Sequence, residues 1–172
     1  MKQIIFFSFL SLALHFNGKD YLPQDRKTFL IQKEDTTNFT IIKFDKSNHA
    51  VFNKSYKQTK LSKTEIKDLQ KVLDSIVNLH NQFLKMDSSI NYNDLAIDLN
   101  QYKRQFIPAI NIKGEKEVLV NCICLQDIPS LTKSKINWRK DSFKVNDGGK
   151  CYFHLVINLR TKEYRYFTVN GN

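Results

Sequence analysis

Three cysteines and one histidine have types and spacing that could do chemistry. Cys122-x-Cys124 and Cys151-x-x-His154 together name four ligands of the kind zinc takes. Strand periodicity counts against a metal site. Cys122 and Cys124 share a face with Val118 and Val120, and Cys151 shares one with Phe153, but His154 stands three residues on and points to the other side of the sheet. Only three ligands converge, and they do so inside the core, so no metal and no cofactor is expected. Oxidation is the alternative chemistry. If their strands are neighbours, Cys151 can bond across to Cys122 or Cys124, whereas a Cys122–Cys124 bond would have to span about 6.5–7 Å between Cα atoms, the limit for a disulfide. Three buried thiols acting as small apolar side chains fit the pattern equally well.

Nucleophilic catalysis needs a nucleophile, a base and a group that orients the base. Beyond residue 18 the imidazoles are His49 in a turn, His80 in a helical apolar stripe and His154 in a strand. No Gly-x-Ser-x-Gly, His-Glu-x-x-His or reactive-cysteine context accompanies them. No catalytic residue is therefore assigned. Asp94, Asp98 and Asp147 fit turn or surface roles, and which acids meet in space is not written in the sequence. Asn146-Asp147-Gly148-Gly149 has neither the spacing of a phosphate loop nor a helix after it, and reads as the turn of a tight hairpin supplied with positive-φ residues.

The chain begins with Lys2 and an apolar run from Ile4 to Phe16, too short for the roughly 20 residues of a spanning helix but of signal-peptide length. Residues 1–18 are expected to be removed, which leaves one domain over 19–172 in an exported, soluble protein with no membrane span. No Pro/Gly/Ser linker divides it. Beyond residue 18 there are 26 basic and 17 acidic side chains, or +9. That excess favours anionic partners, an acidic protein or glycan, although an AT-rich genome rich in Lys, Asn and Ile codons produces the same balance. Basic residues with Tyr102, Tyr152, Tyr164 and Tyr166 could form a stacking platform, yet an exported protein rarely meets nucleic acid.

The elements that position these residues can be read from periodicity. Ser62-Lys63-Thr64-Glu65 is a capping box that opens a long helix to Met86. Ile66, Leu69, Leu73, Ile76, Val77, His80, Phe83 and Leu84 gather on one face of it. Lys63, Lys67, Lys71 and Lys85 lie within about 80° of each other opposite. Strands are expected at 28–32, 39–44, 50–52, 102–112, 117–125 and 142–145. Two more follow, "CYFHLVINL" from Cys151, half-buried, and "YRYFTV". Pro108 should lie at an edge or bulge, and 126–137 reads as polar and irregular. The result is an α+β domain, one long amphipathic helix packed on a curved antiparallel sheet, the cystatin-like or NTF2-like arrangement. A cystatin inhibitor loop of the Gln-x-Val-x-Gly type is absent, because the equivalent turn here is Lys113-Gly114-Glu115.

"DGGKCYFHLVINLRTKEYRYFTVNG", residues 147–171, resembles the closing segment of small exported proteins of unknown function from Bacteroidota-type bacteria. The resemblance implies export from a Gram-negative cell and carries over no site residue. Three functions are open at this point: a non-catalytic protein that binds a macromolecule or small ligand through a sheet face or loop edge, a secreted or periplasmic hydrolase with a carboxylate site, and an immunity or inhibitor protein. A pocket with two close carboxylates would favour the second, a flat apolar patch the first, and an exposed aromatic patch is what the third requires.

Overall fold

The computed structural model describes residues 37–45, 51–89, 91–143, 145 and 148–169. The expected leader and the strand at 28–32 lie outside them, as do His49, Asn146 and Asp147.

The chain is an α+β protein with a mixed sheet and a helix packed on one face. Strand β1 (Phe39–Ile41) and the two-residue β2 (Lys57–Gln58) precede helix α1 (Lys63–Met86). A short α2 (Tyr92–Leu95) leads to β3 (Tyr102–Ile110) and β4 (Lys116–Cys124), and α3 (Ile128–Lys133), β5 (Tyr152–Asn158) and β6 (Tyr164–Val169) complete the order. The sheet runs β1-β3-β4-β5-β6, with β2 also on β3.

Helix α1 starts where its capping box predicts. The Ser62 hydroxyl accepts from the Glu65 amide at 3.2 Å, and the Ser62 amide donates to the Glu65 carboxylate at 2.7 Å. Lys116 on β4 then donates to the other Glu65 oxygen at 2.6 Å, tying the first helical turn to the sheet. Burial alone would raise the Glu65 carboxyl, but the bonds from Lys116 and Ser62 hold it below its ordinary value. Ile66, Leu69, Leu73, Ile76, Val77 and Leu84 are buried against Phe106, Val120, Phe153 and Leu155.

Several expectations need correction. The sheet is not wholly antiparallel: β1 runs parallel to β3, pairing Phe39 with Arg104 and Ile41 with Phe106. Helix α1 lies in the connection between them, and a helical crossover returns the chain in its original direction. Val51 and Phe52 form a turn rather than a strand, with Phe52 fully buried. Among residues 142–145 the described ones make no strand, because Phe143 is spent as an anchor among Ile123, Leu131 and Tyr152. The 126–137 segment is partly helical, as α3 shows.

A further correction has the largest consequence for the site. Strand β5 is not half-buried, because both faces of the sheet are covered. On the face away from α1, Ile42, Phe44 and Phe52 pack on Ile107, Leu119 and Val156. Between that cluster and the one around Phe143 runs a polar row across five strands, Thr40, Gln105, Asn121, His154 and Thr168. The row holds the 138–143 segment by its backbone. Gln105 donates to the carbonyls of Trp138 and Asp141, both at 2.7 Å, and Thr40 donates to that of Arg139 at 3.1 Å. Buried amides facing carbonyls satisfy polar groups that the covering segment would otherwise bury alone.

Pro108 sits inside β3 without breaking it. The Arg104 amide bonds to Asn38 and the Phe106 carbonyl accepts from Ile42, so even-numbered residues of β3 turn their backbone toward β1. Pro108 therefore turns its donorless nitrogen to the interval between β1 and β2, where no ladder bond is lost.

Of the turn expected at 146–149 only Gly148 and Gly149 are described, and Gly149–Cys151 forms a 3-10 turn into β5. Gly149 has a φ of 53°, as a glycine turn demands, but Gly148 has a φ of −77° and is needed for space. A Cβ there would stand 2.8 Å from the Tyr152 Cβ and 3.0 Å from the Val145 Cγ1. Gly148→Ala should therefore destabilise by about 1–3 kcal/mol, the usual cost of overpacking, although alanine suits that φ. An urea melt that showed no loss would remove the steric account.

Candidate functional site

Among the described residues two places bring polar or reactive side chains together and a third is an exposed apolar flank; the first is the cysteine corner. The register pairs Cys122 with Phe153 and Ile123 with Tyr152, so the next pair along the strands is Cys124 and Cys151. The structure joins these two, with Cα atoms 4.7 Å apart. Cys122 is a buried free thiol one step away, opposite Arg104, and burial pushes it well above its ordinary range despite that guanidinium. His154 lies on the opposite face of the sheet, in the polar row. The disulfide lines a cavity of about 240 Å³ with Tyr102, Gln126 and Lys150. Three of its polar groups are engaged within the protein: Tyr102 donates to the Lys150 carbonyl at 2.7 Å, Gln126 donates to the Cys151 sulfur at 3.1 Å, and the Lys150 ammonium reaches the Asn93 carbonyl. The corner fastens the entry of β5 to the end of β4.

The second place holds two close carboxylates at the β3–β4 turn. The Asn111 amide donates to Glu115 at 3.1 Å and to Glu117 at 3.0 Å. Glu117 is buried and accepts from Arg165 at 2.5 Å and from the Tyr56 hydroxyl at 3.0 Å. Glu115 accepts from Asn158 at 3.0 Å and pairs with Arg160. The bond from Asn111 leads those that hold the Glu115 carboxyl below its ordinary value. A hydrolytic pair needs one carboxyl kept protonated and one free to attack or to activate water. Here both oxygens of each acid are occupied by structural donors. Asp98, one of the surface acids, caps a short turn by accepting from the Asn100 amide at 3.0 Å, and Asp94 is exposed in α2.

The third place was not singled out by the search for chemistry. Helix α1 presents an apolar flank that the sheet leaves uncovered: Leu79 is 43%, Phe83 62% and Met86 81% exposed. Phe83, expected inside the buried stripe, is thus corrected to the surface. It stands one turn beyond Leu79, while His80 packs edge-on to Phe167 at 5.0 Å and approaches the Leu95 carbonyl at 3.4 Å. Strand β6 ends the sheet, and no strand among the described residues pairs with its outer side. Between α1 and β6 runs a groove of about 330 Å³, lined by Lys71, Val72, Ser75, Ile76, Leu79, Lys162 and Tyr164.

The four tyrosines expected on the surface divide. Tyr102 and Tyr152 are buried, and burial raises each phenol to about 12. Tyr164 and Tyr166 are exposed, with the Arg165 guanidinium 4.7 Å from the Tyr166 ring centre. A stacking platform across the sheet is thereby lost, while an aromatic edge beside the groove remains.

The chain matches no family model, no curated protein and no solved structure. Among the described residues no helix is long and apolar enough to cross a membrane, and no group of three or more His, Cys, Asp or Glu side chains could hold a metal ion.

Proposed function

We propose that the protein is an exported binding protein that works without catalysis and engages a macromolecule through the α1–β6 groove. The observation that carries this reading is the exposed Leu79 of α1, which lines one groove with Tyr164 of β6, the last strand of the sheet among the described residues. Aromatic side chains are enriched at protein interfaces, and an exposed apolar groove of this kind marks an interaction surface. The carboxylate pair at Glu115 and Glu117 supports the hydrolase reading poorly, since its donors leave neither acid available. An immunity or inhibitor role is the second reading, favoured by the exposed aromatics Tyr164 and Tyr166 on β6. The helix-on-sheet core is read as a variant of the cystatin-like or NTF2-like arrangement, with β1 added in parallel. The export reading is supported by Lys2 with the apolar run from Ile4 to Phe16, and by the resemblance of residues 147–171 to the closing segment of small exported proteins.

Photo-crosslinking in the native host tests the site. A benzophenone side chain at Tyr164 is expected to give a discrete adduct, and the same group at exposed Lys57, on β2, is expected to give none. Adducts at Lys57 alone, or at neither position, would remove the groove as the working surface.

A further inference from the structure

We infer that the α1–β6 groove takes an acidic polypeptide that inserts one large apolar side chain between Leu79 and Tyr164 and places carboxylates against Lys71 and Lys162. This rests on the binding reading above and names the partner's chemistry. The floor of the groove is apolar, formed by Val72, Ile76, Leu79 and the Tyr164 ring. Its charged lining residues are two lysines and no acid. Ser75 adds little polar recognition, because its hydroxyl already donates to the Lys71 carbonyl at 3.0 Å. What remains is an apolar slot with a cationic rim, and the complementary object is an apolar knob with anionic neighbours. A polypeptide supplies both in one short stretch. An acidic glycan supplies only the charge and leaves the slot unfilled.

The edge strand also says how the partner is held. The β5–β6 ladder shifts between His154 and Val156, and Tyr166 at the shift has a φ of 56°. A bulky residue in the left-handed region marks a bulge, and bulges break and twist the edge that an added strand would have to follow. The partner is therefore gripped by side chains in the groove, and strand addition along β6 is not the mode.

The test titrates the whole isotope-labelled protein with four probes, followed by amide NMR shifts. Three are ten-residue peptides with a central Phe, flanked by Asp and Glu, by Ser and Asn, or by Lys and Arg. The fourth is a sulfated oligosaccharide. The acidic peptide should bind about tenfold or more tightly than the neutral one at low salt, with the basic peptide weakest, and the gap should shrink as salt rises. Shifts should centre on Val72, Leu79 and Tyr164, and a Lys71→Glu/Lys162→Glu variant, both substitutions being on exposed side chains, should reverse the peptide order. Peptides that bind the groove without regard to flanking charge would overturn the partner's chemistry while leaving the binding reading in place. So would an oligosaccharide that binds there as tightly as the acidic peptide. Groove shifts that grow with protein concentration alone would assign the surface to a second copy and overturn the inference. No groove shift with any probe would overturn both the inference and the binding reading.

Discussion

Leu73→Ala will cost about 2–5 kcal/mol, the range for emptying a fully buried leucine position. Leu73 has no exposed surface and stands in the middle of the α1 stripe, in the cluster that includes Phe106, Val120 and Phe153. The loss combines the transfer energy of the removed carbons with the cavity that a rigid sheet below cannot fill. Lys67→Ala, on the exposed face of the same helix, should stay within about 0.5 kcal/mol. Urea unfolding of the two variants beside the parent measures both, and equal shifts of the midpoint would mean that the helix faces are wrongly placed.

Opening the Cys124–Cys151 bond should cost about 3–4 kcal/mol on the chain-entropy scale, since the bond closes a loop across a sequence separation of 27. The loop contains α3 and the whole 138–143 covering segment, so the unfolded chain gains a large freedom when the bond is cut. The pairing itself can be checked with three variants, each melted with and without a dithiol reductant. The Cys122→Ala protein should still lose stability on reduction, whereas the Cys124→Ala and Cys151→Ala proteins should not respond. A Cys122→Ala protein indifferent to reductant would show that Cys122 takes part in the bond.

Local signals in the sequence translated well into local structure. Ser62 and Glu65 mark the start of α1 because a capping box is complete within four residues. The alternation of Cys151, Phe153, Leu155 and Ile157 places those side chains toward α1 because a strand has only two faces. What the second face would meet was not readable. Its cover depends on Gln105 catching two carbonyls more than thirty residues away, and a lone Gln in a strand pattern looks like any polar interruption. The parallel setting of β1 follows from where α1 carries the chain, which no period of two or three residues encodes.

The candidate site was harder to see for a related reason. Phe83 belongs to the apolar series of α1 by spacing, yet it is exposed because a stripe is only as buried as the sheet opposite it is wide. Among the described residues the sheet stops at β6, and the outermost members of the stripe are exposed. Cys122, Cys124 and Cys151 share a face, and the choice between the first two needed the β4–β5 register. Gly148 looked like a residue kept for its backbone angle, and its real constraint is the distance to Tyr152.

The central claim is that the flank of α1 beside β6 is kept apolar for a partner and not for the fold. Leu79→Ser tests it most directly, with thermal unfolding and the yield of the Tyr164 crosslink measured on the same protein. The groove account predicts a melting curve close to that of the parent and a crosslinked adduct reduced at least severalfold. A melting temperature lowered as far as by Leu73→Ala, with the adduct undiminished in the fraction that stays folded, would contradict it and assign Leu79 to the core.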